Sequence, residues 1–211
     1  MSADVLAAIA VALGAGWASG LNAYAAVLVL GLAQRFHMVA LPTDLQVLGS
    51  PWVIAVAAVL FALNFLADKI PYIDSINDLL QTFVRVPAGI LLAYGAAAGL
   101  SPEVSVIAGL LGGTLAAGTH IAKTGTRALI NTSPEPFSNV AASLAEDVSV
   151  VGGLALALSH PLIFLGLLVL FVLVLVWLLP RLLRLALVPL RRLGRPRAPG
   201  TPWGTEPGQR P

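Results

Sequence analysis

Cysteine is absent from the sequence. That removes disulfides, thiolate metal ligands, iron–sulfur clusters and cysteine nucleophiles from consideration. Charge is almost as scarce: Asp, Glu, Lys and Arg make up 10% of the 211 residues, against about 25% in a soluble domain. No nucleotide-binding, metal-ligand or nucleophile motif stands in the chain, so no catalytic residue, no metal and no cofactor is expected. What the chain has instead is apolar surface, with 58% hydrophobic residues and a mean hydropathy of +0.90. Lipid is the solvent of such a chain, and its length allows about six spans of about 20 residues with short connections. The expected fold class is therefore all-α, a polytopic membrane protein.

The few charges are unevenly placed. Residues 181 to 211 hold seven of the twelve basic residues and a single acid, Glu206, while residues 1 to 180 hold five bases and nine acids. This divides the chain into a transmembrane domain, 1–180, and a tail, 181–211, in which Pro, Gly and Arg dominate and no core can form. Arg181, Arg184, Arg191, Arg192, Arg195 and Arg197 directly follow a hydrophobic span. They read as a cytoplasmic anchor on anionic lipid, and no nucleic acid is expected as a partner. At the other end, Asp4 and the absence of a basic stretch argue against a signal peptide, so the first segment is expected to be retained.

Six apolar segments follow in order. The first runs from about Val5 to Ala33 and carries a ladder of small residues, Ala8, Ala12, Gly16 and Gly20, which lets another helix approach closely within the protein or between protomers of a homo-oligomer. Asn22 falls near its middle, where an amide needs a partner. Ser50-Pro51-Trp52 opens a second span that ends before Asp68-Lys69-Ile70-Pro71, and a capping box at Ser75 to Asp78 opens the third. The fourth covers Val104 to about Ala122. A break at Thr132 to Pro136 precedes the fifth, which must reach Leu158, and the sixth, Leu162 to Leu179, is uniformly aliphatic and is expected to face lipid.

Two stretches concentrate the polar residues. Asn77, Gln81 and Arg85 recur every four residues, as do Asn139, Ser143 and Asp147, with Glu146 beside the last. On a helix each set forms one polar stripe. A lysine and a turn precede each stripe, which suggests a two-helix unit used twice, as spans two-three and four-five. His120, Lys123, Arg127 and Asn131 share one face of the fourth segment and read as a positive flank leaving the membrane, or as a surface for an anionic headgroup or solute.

Gly20 to Tyr24 (GLNAY), Ser50-Pro51-Trp52, Ala67 to Pro71 (ADKIP), Asn77-Asp78, Gln81 to Arg85 (QTFVR), His120 with Lys123, and Ser138-Asn139 with Glu146-Asp147 together resemble the domain of unknown function 4126 family of bacterial integral membrane proteins. The resemblance covers roughly residues 14 to 158. It implies a polytopic membrane protein and little chemistry.

With the arginine-rich tail inside, six spans place both termini in the cytoplasm of a multi-pass cell-membrane protein. Three functions compete: a small transporter or permease, a membrane scaffold, and an enzyme acting on lipid headgroups. The first would move a small solute or cation along Asn22, Asp68, Asn77, Asp78, Gln81, Arg85, Asn139, Ser143, Glu146 and Asp147, between spans three and five. Parallel repeats about a common axis would bring equivalent positions together, so Arg85 is expected to pair with Asp147, with Glu146 as the alternate.

Overall fold

A computed structural model describes residues 3–70, 73–130 and 136–193, with the side chains of Ala3, Asp74, Ser75, Pro136, Leu179 and residues 182–193 left undescribed. Its elements are α1 (Ala3–Arg35), a short 3-10 helix (Thr43–Gly49), α2 (Pro51–Ala67), α3 (Ile73–Ala97), α4 (Pro102–Ile130), α5 (Pro136–Ser159) and α6 (Pro161–Leu193). No strand occurs among the described residues. Five helices, α1, α3, α4, α5 and α6, are long and apolar enough to cross a membrane. The 3-10 helix and α2, bent by 68° at Ser50, make a sixth candidate. The chain is an all-α polytopic membrane protein.

The centre of the fold is α1. It packs against α2, α3, α4 and α5, and Ala10, Ala15, Ala18, Ala26 and Leu30 on it are fully buried. Its small-residue ladder is used within the chain. A Cβ on Gly16 would lie 2.5 Å from the Gly112 Cα, and one on Gly20 would strike the Ala116 carbonyl oxygen. Gly89 of α3 faces the same place, with the Gly112 oxygen 3.1 Å from where its Cβ would stand. Three backbones therefore meet almost without side chains between them, which is how helices gain contact in a solvent as apolar as they are.

α1 is not one straight rod. Asn22 has φ −155° and ψ 98°, extended values inside a helix, and its side-chain oxygen accepts the Ala25 N–H at 3.1 Å. An extended residue whose side chain bonds the N–H three residues on is an N-cap, so a second helix starts there. The two arms then run back beside each other. In the first arm Ser19 donates to the Arg85 carbonyl at 2.8 Å, while Asp4 and Ala8 share a cavity with Ala98 and Leu41. In the second, Gly31 meets the Leu48 carbonyl and Gln34 accepts the Leu41 N–H at 2.8 Å. Leu45 in turn packs on Gly95. Both ends of α1 thus lie beside the C-terminal end of α3, whereas a straight helix of this length would part them by about 50 Å. α1 is a re-entrant hairpin with its tip at Asn22.

The remaining helices enclose this hairpin. α3 packs on α1 and α4, whereas α5 packs on α1 and only slightly on α4. The expected meeting of spans three and five does not occur, because α1 occupies the space between them. α6 lies at the edge: Trp17 holds it through edge-on contacts with Phe164 and Phe171, at 6.2 and 6.1 Å, and Leu162, Leu167, Leu170 and Leu173 are exposed, in keeping with a lipid-facing helix. The chain divides into two compact units, Met1–Leu175 and Val176–Pro211. In the second, α6 continues to Leu193, past the expected boundary at 180. Arg181 lies 3.6 Å over the Trp177 ring. Of the arginines read as an anchor only the Arg181 side chain is described; the others, and the expected break at Thr132 to Pro136 apart from the backbone of Pro136, lie outside the described residues.

Candidate functional site

The polar residues of five segments converge at the hairpin tip and below it. Lys123 of α4 is the hub. Its Nζ lies 3.0 Å from Asp68 Oδ2, 3.1 Å from Glu146 Oε2 and 3.4 Å from Asp78 Oδ1, and it reaches the Leu21 carbonyl at 3.5 Å. That carbonyl belongs to the last turn before the break, where the backbone oxygens lose their helical partners. One turn further along α4, Arg127 holds Glu146 by two bonds, Nε to Oε1 at 3.1 Å and Nη2 to Oε2 at 2.9 Å. Its Nη1 donates to the Asn139 side chain and carbonyl and to the Asp68 carbonyl. Asn64 and Asn77 complete the shell around Asp68, each donating to one of its carboxylate oxygens at 3.1 Å.

Arg85 sits on the far side of this group. Its Nη1 contacts Asp78 Oδ1 at 2.9 Å and His120 Nδ1 at 2.9 Å. Because a guanidinium only donates, His120 Nδ1 accepts. The ring proton is then on Nε2, which donates to Thr82 Oγ1 at 2.6 Å, and Thr82 donates onward to the Asp78 carbonyl. Asp78 Oδ1 lies within ion-pair distance of two cations but has no aligned hydrogen bond. Arg85 Nε and Nη2, Gln81 Oε1, Ser143 Oγ and Thr119 Oγ1 are buried without a hydrogen-bond partner.

Asp147 stands apart. Asn22 donates to its Oδ1 at 3.0 Å, and its Oδ2 is buried without a partner. The expected pair between Arg85 and Asp147 is not formed. Arg85 instead reaches Asp78, seven residues earlier on its own helix and so on the same face, in the direction in which helical side chains lean. Glu146, expected as the alternate partner of Arg85, pairs instead with Lys123 and Arg127, and Asp147 is the acid without an ion-paired cation. His120, Lys123 and Arg127 also sit differently from the expectation of a flank leaving the membrane: all three are buried, Lys123 and Arg127 against the acids and His120 against Arg85 and Thr82, so they present no open surface for a headgroup. Sequence reading missed Asn64 and Thr82. Asn64 lies one helical turn before Asp68, and that spacing was the available clue.

Lys69 follows Asp68 outside the spanning helices. Its ammonium rests 2.8 Å from the centroid of the Phe65 ring and donates to the Phe65 carbonyl. Burial pushes it below the usual lysine value, with the Asp147 and Asp68 carboxylates opposing that shift. Among the described residues no group of three or more His, Asp or Glu is arranged to hold a metal ion.

The model of the family described as Domain of unknown function (DUF4126) matches residues 9–181. The chain belongs to this family. The match runs beyond the motifs at 14 to 158 and takes in α6 as far as Arg181, so the DUF4126 domain comprises the re-entrant hairpin, the ionic cluster and the aliphatic edge helix together. No curated protein and no solved structure matches the chain.

Proposed function

We propose that the protein is a small permease whose moving part is the α1 hairpin and whose site is the ionic cluster under its tip. The observation that carries this reading is the break at Asn22, an extended residue in the central helix α1, where Asn22 meets Asp147 of α5 and the preceding Leu21 carbonyl meets Lys123 of α4. Irregular backbone at membrane depth is tolerated only where protein buries it or a water-filled route passes it. Broken helices with ionisable partners are the recurrent form of solute and ion sites in secondary transporters. The solute or cation would pass between the tip of α1 and α5, not between α3 and α5.

A scaffold is favoured by one specific feature, the dense mutual pairing of Asp68, Lys123, Glu146 and Arg127. The unpartnered oxygens of Gln81, Ser143 and Asp147 weigh against it, since a purely structural network gains by satisfying every buried group. The native chain has no cysteine, so a single Ser143→Cys thiol is a clean probe. Ser143 is buried in this structure. A permease exposes it in turn to a membrane-impermeant thiol reagent from each side of a proteoliposome, and Arg85→Gln changes that reactivity. A thiol that stays unreactive from both sides makes the protein a scaffold.

The hairpin also sets the orientation. With α1 returning to its starting face, five passes remain, and we propose that the Asp4 end lies outside while the end of α6 lies in the cytoplasm of the cell membrane. The expectation of both termini inside counted α1 as a crossing. Lys69, at the end of α2, then lies on the cytoplasmic side, as charge bias favours.

A further inference from the structure

We infer that Asp147 is a proton-binding site, and that loading it with a proton loosens the tip of the α1 hairpin through Asn22. The inference rests on the permease reading for its role in transport, but the site itself stands on separate geometry. Three fixed cations, Arg85, Lys123 and Arg127, are in ion-pair contact with three carboxylates, Asp68, Asp78 and Glu146. Asp147 is the fourth carboxylate. The charged groups that act on it are Asp68 and Lys69 from the end of α2 and Lys123 from α4, while Glu146 beside it on α5 is held by Arg127. Lys69 is turned to Phe65 and Lys123 to three other acids, so neither is bonded to Asp147.

One oxygen of Asp147 is bound and one is free. Oδ1 accepts from Asn22, while Oδ2 is buried with no partner, and Ser143, one helical turn earlier on the same face of α5, is 1% exposed with its hydroxyl also unpartnered. A lone carboxylate in such a place is stabilised by taking a proton. A sodium ion would need several oxygens, and the Leu21 carbonyl, in the turn before the break, is already contacted by the Lys123 ammonium. The proton requires only Oδ2. It arrives from water and returns to it, with no other bond made or broken.

The mechanical consequence follows from Asn22. While Asp147 is ionised, the Asn22 amide donates to a charged acceptor, and protonation turns this into a weaker neutral bond. The same Asn22 side chain caps the second arm through the Ala25 N–H. Releasing one contact of the amide therefore loosens the start of that arm.

The test uses the full chain in lipid nanodiscs, with infrared difference spectra recorded as the pH is lowered. A protonated-carboxyl band should appear, shift when aspartate is labelled with carbon-13, and be lost in Asp147→Asn. The isotope shift identifies an aspartate even if the variant folds poorly. Hydrogen exchange, corrected for its intrinsic pH dependence, should show protection at residues 23–26 falling about fivefold on acidification, the difference between a charged and a neutral hydrogen bond. Asp147→Asn should abolish that response. No aspartate band, or a band that survives in a folded Asp147→Asn protein, overturns the proposal, as does protection that follows sodium concentration and ignores pH. A titrating Asp147 in a protein whose Ser143→Cys thiol is never reached sinks the permease reading alone. A reachable thiol with no titrating band sinks the proton site alone.

Discussion

Arg127 and Glu146 form a two-bonded ion pair, Nε to Oε1 and Nη2 to Oε2, between a planar guanidinium and a carboxylate. Breaking a buried pair costs about 3 to 5 kcal/mol, because it leaves one charge without compensation. Arg127→Ala and Glu146→Ala should each lower the folded fraction in mild detergent by an amount of that order, and the double change should recover part of the loss. Arg85→Ala and Asp147→Ala, by contrast, should add, since the two side chains have separate partners. A thermal-melt cycle on each pair decides it; coupling between Arg85 and Asp147 as large as that between Arg127 and Glu146 would contradict the observed contacts. Most residues of this cluster, Asn64 and Thr82 excepted, were legible in the sequence, because polar side chains at four-residue spacing in an apolar helix have to find one another. Their pairing was not. Equivalence between repeats suggested Arg85 with Asp147, but a long side chain takes the acid within its reach, and Asp78 was already on its face.

At the scale of the element, the hairpin depends on what is missing from its seam. Gly112 is enclosed by Ala93 and the Gly89 carbonyl, and Gly16 by Gly112, whereas a Cβ on Gly99 or Gly152 would meet nothing within 4 Å. Gly16→Ala and Gly112→Ala should each destabilise the protein by about 1 to 3 kcal/mol, the usual cost of forcing bulk into a packed core. Gly99→Ala and Gly152→Ala should leave the melting temperature nearly unchanged. Equal effects at all four would mean that the three backbones do not approach as described. The ladder of small residues announced a close contact, and that contact lies within the chain. The break at Asn22 was less visible, because neither a proline nor a turn motif marks it and its cap, Asn22 to the Ala25 N–H, closes locally. The length of the first segment was the available clue. At 33 residues α1 exceeds the roughly 20 that a crossing needs, and the surplus is the returning arm.

Across the first compact unit, that returning arm sets on which side of the membrane the Asp4 end is expected relative to Ile70. The seam, the cluster and the edge helix all hang from α1, so the number of passes is a property of the fold and not of the hydropathy of any one segment. A hydropathy reading counts α1 as one crossing and places Asp4 on the same side as Ile70. The hairpin places Asp4 with Met38, at the C-terminal end of α3, and Ile70 at the opposite end, beside the start of α3. All three residues are exposed, and the absence of native cysteine makes each a single-site reporter. In intact cells, an impermeant thiol reagent should label Asp4→Cys and Met38→Cys and spare Ile70→Cys, which should react only after permeabilisation. Labelling of Met38→Cys alone in intact cells would mean that α1 crosses the membrane after all. The second arm would then run on through the bilayer in place of turning back, and the contacts of Gly31 with Leu48 and of Leu45 with Gly95 could not coexist with those of Asp4 and Ala8 beside Ala98.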